Sequence, residues 1–203
     1  MSIEVHRLGA ADKRARPAEP YLASASVLML LAGSCAVASF ALACATPFAA
    51  FAVVAAALLP LPAALMVVAA AWIVNQAIGF GALGYPIEIN TILWGAAIGA
   101  AAMIATAASA LALRLLAHAS RPVAMVLALV SAYAAYEVTL FALSPALGGA
   151  GAFTLATIGR LAILNVLWMI GLSVLSVLAK LFFAYRRGRA HPASNAAMTI
   201  RPH

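Results

Sequence analysis

Apolar runs of bilayer length follow one another along this chain with little soluble sequence between them, and that succession constrains the fold more than any motif. A helix needs about 20 residues to cross a hydrocarbon core roughly 30 Å thick, and runs near or above that length recur between residues 21 and 185. With 67% hydrophobic and 8% charged residues in 203, the chain holds more apolar surface than a soluble domain of this size buries, so its solvent is lipid. The expectation is an all-α polytopic membrane protein with one helical membrane domain, 21–185. It is flanked by a polar tail, 1–20, and a basic tail, 186–203.

Charge supports a topology rather than a binding activity. The formal net charge of +7 comes mostly from the two tails and one loop, and no basic surface interleaved with stacking aromatics is present, so nucleic acid is not expected as a partner. Apolar segments at 22–45, 48–59, 62–80, 92–113, 122–143 and 153–185 give six transmembrane elements. That count places both tails and the Arg114–Arg121 loop on one side, with all of the twelve Lys and Arg residues except Arg160 at or near it. The positive-inside rule makes that side the cytoplasm and the location a plasma (inner) membrane. The run from Tyr21 to Ala45 is too long for a signal-peptide core, although Ala43-Cys44-Ala45 resembles a cleavage site.

The second element is expected to be short or re-entrant. Twelve residues rise about 18 Å before Pro60-Leu61-Pro62 interrupts them, and Thr46-Pro47 reads as its start, with Thr as N-cap and Pro at the first helical position. On the first helix Ala32, Ala36, Ser39 and Ala43 leave one face nearly free of bulk, which suits either packing within the chain or docking of a separate subunit. Cys35 and Cys44, nine residues apart, project about 180° apart and cannot pair within that helix.

Polar groups concentrate between Trp72 and Trp94, where Asn75-Gln76, three spaced glycines, Tyr85-Pro86, Glu88 and Asn90 interrupt the apolar sequence. Gly79-Phe80-Gly81-Ala82-Leu83-Gly84 matches G-x-G-x-x-G by letter but follows an apolar helix, so it reads as a helix end with tight turns rather than a dinucleotide fingerprint. At about 1.5 Å per residue, Asn75, Gln76, Glu137, Arg160 and Asn165 fall in the outer third of the membrane. An intramembrane charge costs about 2.5–3.5 kcal/mol on insertion scales, so Glu137 and Arg160 should face inward. Two readings stand: an ion pair that joins the fifth and sixth helices, or a site in which Glu137 orients Arg160 toward a ligand carboxylate. In the second, Asn75, Gln76, Tyr85, Asn90, Trp72 and Asn165 supply polar and aromatic contacts beneath a lid formed by the central turn. No nucleophile–base pair, paired carboxylates or metal-ligand spacing appears, so neither catalysis nor a cofactor is expected.

This layout resembles the substrate-binding S-components of energy-coupling factor transporters, which capture vitamins or metal ions for ATP-driven uptake. The resemblance covers residues 22–185. It implies six helices with both termini inside and an outer ligand pocket covered by the Ala45–Pro47 link and Gly81–Thr91. It also implies docking of a transmembrane coupling subunit, working with ATPase subunits, on Ala32-x-x-x-Ala36. The stretch Thr46–Pro86 looks most like the biotin branch, and Arg160 stands about where that branch places ligand contacts. The branch's acidic-then-lysine pattern is absent there, the sequence reading Ile158-Gly159-Arg160-Leu161. The function expected is a non-enzymatic subunit for vitamin-type uptake of a small, anionic nutrient. The alternatives are a non-catalytic accessory subunit of a larger membrane complex, and a channel or proton-coupled carrier that uses Glu137.

Overall fold

The computed structural model describes residues 29–40 and 46–189, and every regular element among them is helical. We number the helices α1 (Met29–Phe40), α2 (Phe48–Leu58), α3 (Leu61–Ala77), α4 (Ile89–Leu115), α5 (Arg121–Leu147) and α6 (Leu155–Arg189). A π-helical turn, Ile78–Ala82, prolongs α3, and a 3₁₀ turn, Ala150–Ala152, lies between α5 and α6. Leu61–Ala82, Ile89–Leu115, Arg121–Leu147 and Leu155–Ala179 are long and apolar enough to cross a membrane, which is the make-up of a polytopic membrane protein. The basic tail expected from residue 186 is helical as far as Arg189, as a continuation of α6.

The shortest of these helices holds the centre. α2, FAAFAVVAAAL, carries no polar side chain, and Phe48 to Ala55 are buried one after another, on every side of the helix. A helix that is apolar all round has no face to offer water and is stable where neighbours enclose it. Contacts run from α2 to α3, α4, α5 and α6, and Leu31 and Cys35 of α1 belong to the same core. The outer helices meet in turn. The Cys35 thiol on α1 donates to the Ala71 carbonyl on α3 at 3.1 Å, α3 packs on α4, α4 on α5 and α5 on α6, and the Trp168 indole on α6 donates to Ser34 Oγ on α1 at 2.7 Å. Five helices therefore form a ring around a sixth.

Small residues bring the α3 and α4 backbones close. Trp72 Nε1 donates to the Gly95 carbonyl at 2.9 Å, a Cβ at Gly99 would lie 2.7 Å from the Trp72 ring, and one at Gly95 would lie 2.5 Å from Gln76 Oε1. Gly95-x-x-x-Gly99 is thus a helix-packing motif that receives two side chains spaced one turn apart on α3. The sequence carried that spacing, but it was hidden beside the more conspicuous glycines at 79–84.

Two sequence expectations about packing change here. Thr46 is not the N-cap of α2: Pro47 precedes the first helical residue and no side chain of the link caps the helix. Thr46 Oγ1 instead accepts from Asn75 Nδ2 at 2.9 Å. The proposed docking face on α1 is also partly used inside the chain. Ser39 is buried and accepts from Asn75 Nδ2 at 2.8 Å, Ala32 and Ala36 are half-buried, and the exposed positions are Met29, Gly33, Val37 and Phe40. Ala43 and Cys44 lie outside the described residues.

Candidate functional site

Eleven residues give α2 a length of about 16 Å, roughly half of what a bilayer's hydrocarbon core requires. The ring is taller than its filling, and the three helices that enclose the remainder change role at one level. On α4, Ala101, Ala102 and Ala105 are buried in the bundle, while Trp94 and Ile98 line a cavity. On α5 the positions buried in the bundle include Ala128, Leu129 and Ala132, and Tyr136, Glu137 and Leu140 line the cavity. On α6 they are Met169 and Leu172, and Thr157, Ile158, Leu161 and Asn165 line it.

The space they line is about 160 Å³. Thr46, just before α2, contributes to its wall, as do Ala152 and Phe153 from the α5–α6 connection. That connection bends where Gly148 and Gly149 take positive φ, +76° and +90°, a conformation glycine adopts without Cβ strain. A Cβ on Gly149 would sit 3.4 Å from the Trp94 ring, so the connection passes closely over Trp94. The Phe153 ring is fixed edge-on against Phe141, centroids 5.5 Å apart.

Most polar groups on the cavity wall are already engaged. Asn165 Oδ1 accepts the Ala50 N–H at 3.0 Å, and its Nδ2 donates to the Leu161 carbonyl at 2.9 Å. Ala50 is the third residue of α2, so Asn165 supplies from another helix the N-terminal cap that the Thr46-Pro47 link lacks. The Thr157 and Thr154 hydroxyls share a hydrogen bond of 2.9 Å. Glu137 differs. Among the described residues it forms no ion pair, and its polar neighbour is the Tyr133 hydroxyl, one turn earlier on α5. The two side chains are hydrogen-bonded to each other, and the phenol also donates to the Ile158 carbonyl at 2.7 Å.

The residues expected to converge thus divide. Glu137 and Asn165 line the cavity, with Trp94, Tyr136 and Thr46 beside them. Arg160 does not join them: it is exposed on α6, absent from the lining, and makes no ion pair with Glu137. At 100° per residue it points roughly 115° away from the centre of the face bearing Thr157, Ile158, Leu161 and Asn165. The expected charged floor of paired Glu137 and Arg160 is therefore replaced by a lone acid.

Asn75, Gln76 and Trp72 belong to a separate network on the α1–α3–α4 side. Asn75 holds Ser39 and Thr46, Gln76 Nε2 donates to Asn75 Oδ1 at 3.3 Å, and Trp72 holds Gly95. Thr46 belongs to both groups. The turn Gly81–Thr91 contributes no residue to the cavity wall, so it is not the expected lid. It folds on itself instead: Tyr85 N–H donates to the Gly79 carbonyl at 3.0 Å, a Cβ at Gly79 would lie 2.8 Å from the Tyr85 ring, and Gly84 takes φ +67°. Asn90 is exposed in the first turn of α4. Of the three glycines, Gly79 is the one that Tyr85 approaches closely.

Comparison of the chain with protein families, with curated proteins and with solved structures finds no match.

Proposed function

We propose that the chain is a non-enzymatic, integral membrane substrate-binding subunit that takes a small nutrient into the ring's unfilled end. The observation that carries this reading is the cavity left by the half-length of α2. It has mostly apolar and aromatic walls and, among the described residues, one charged group, Glu137, a combination typical of small-molecule sites. Counting α1 to α6 as six membrane elements puts both tails and the Arg114–Arg121 connection on the cytoplasmic side by charge bias. The cavity then opens toward the outside, where an uptake subunit meets its ligand. Coupling and ATPase subunits would complete such a system.

A second reading is an accessory subunit of a larger membrane complex, and the exposed side of α6 favours it. Ile163, Leu167, Ile170, Val174, Val177 and Leu181 are all exposed and recur at alternating spacings of four and three, the pattern of a coiled-coil seam. One experiment separates the two. Native mass spectrometry of the detergent-purified protein should find a retained small molecule that is lost in Leu140→Trp, which fills the cavity, and kept in Arg160→Ala. Retention unaffected by Leu140→Trp would sink the uptake reading, and a stoichiometric membrane partner with no small molecule would favour the second.

A further inference from the structure

Resting on the binding-subunit reading, we infer that the ligand is a small organic cation, a protonated amine on a ring-sized body, held by the Glu137 carboxylate. Three observations converge on that chemistry. Among the described residues Glu137 is the only formally charged one on the cavity wall, and Arg160, the described basic residue nearest to it in height, is turned out of the cavity. A carboxylate within a membrane helix is costly unless a charge of opposite sign pairs with it, and the side chain that reaches Glu137, the Tyr133 hydroxyl, is neutral. Among the described residues Glu137 has no cationic partner, and a protonated amine supplies both the charge and the N–H groups.

The rest of the wall fits the remainder of such a ligand. Trp94, Tyr136 and Phe153 surround the space, and aromatic rings attract cations as well as apolar bodies. A cavity of about 150 Å³ holds one benzene-sized molecule, and this one measures about 160 Å³. An anionic ligand would bring its charge toward Glu137 with no basic residue on the wall to offset it, which reverses the sign expected from Arg160.

Three probes that share a ring and differ in charge test this in the full chain, reconstituted in nanodiscs at pH 7.5: benzylammonium, benzyl alcohol and benzoate. Binding is followed by calorimetry and by quenching of tryptophan fluorescence. The expected result is benzylammonium bound at least about tenfold more tightly than benzyl alcohol, with benzoate weakest. In Glu137→Gln that preference disappears while benzyl alcohol still binds, which shows the cavity intact. Benzoate binding tightest, or benzylammonium and benzyl alcohol binding equally to the unmodified chain, overturns the assigned charge and leaves the cavity reading standing. Failure of all three probes to bind the unmodified chain overturns both. If Glu137→Gln does not fold, the ranking of the three probes on the unmodified chain still decides.

Discussion

Helices α2 and α6 are both strongly apolar, yet the bundle treats them in opposite ways. α2 is enclosed along eight consecutive residues, whereas α6, at 35 residues, exposes Ile163, Leu167, Ile170 and Val174 along much of its length. Lipid tails are as apolar as leucine, so hydrophobicity alone does not drive one membrane helix against another. Packing and polar contacts decide instead, and the two helices divide these between them. α2 is held by shape, with Phe48 edge-on to Phe51 at 5.9 Å and stacked near Tyr136 at 6.4 Å. α6 is held at a few polar points: Asn165 on Ala50, Trp168 on Ser34, and the Ile158 carbonyl under Tyr133.

Substitutions on the two helices should therefore differ in size and in kind. The largest effect is expected for Phe51→Ala on α2, where a fully buried ring is lost and truncations of this kind cost about 3–5 kcal/mol; reversible unfolding in mixed micelles measures it. A loss below about 1 kcal/mol would mean that the centre of the bundle is loosely filled. Asn165→Leu keeps the bulk but uncaps Ala50 and should cost about 1–2 kcal/mol, toward the upper end of interhelical hydrogen bonds in membranes. Faster amide exchange should then be confined to the first turn of α2, and unchanged exchange there would remove the cap from the account. Leu167→Ala, on the exposed side of α6, should stay within about 0.5 kcal/mol for the isolated chain. A larger cost, growing with protein concentration, would show that a second chain covers that side.

The boundaries of these helices were legible because the apolar runs and their prolines are local signals. The reading 48–59 for α2 meets Phe48–Leu58, and 122–143 meets Arg121–Leu147. Of the polar layer expected from the rise per residue, Glu137 and Asn165 line one cavity, while Asn75, Gln76 and Arg160 do not. Azimuth was not legible. In a soluble helix the polar face announces the outside, but here lipid and protein neighbours are both apolar, so nothing along α6 said that Arg160 turns away from the face bearing Asn165. The central place of α2 left one faint trace, the complete absence of polar side chains in a segment too short to cross alone. The stretch Trp72–Trp94 is a real cluster of unusual residues, in which Gly79 receives the Tyr85 ring while Gln76 and Trp72 pack on Gly95 and Gly99 just beyond it.

The contact between Asn165 and Ala50 spans 115 positions of sequence and bears on the order in which the bundle is made. Chains emerge N-terminus first, so α2 leaves the ribosome long before the residue that caps it. Unpaired backbone donors cost several kcal/mol each in hydrocarbon, and until α6 arrives the first turn of α2 has water at the interface as its alternative partner. The chain's last helix therefore completes the cap of its second.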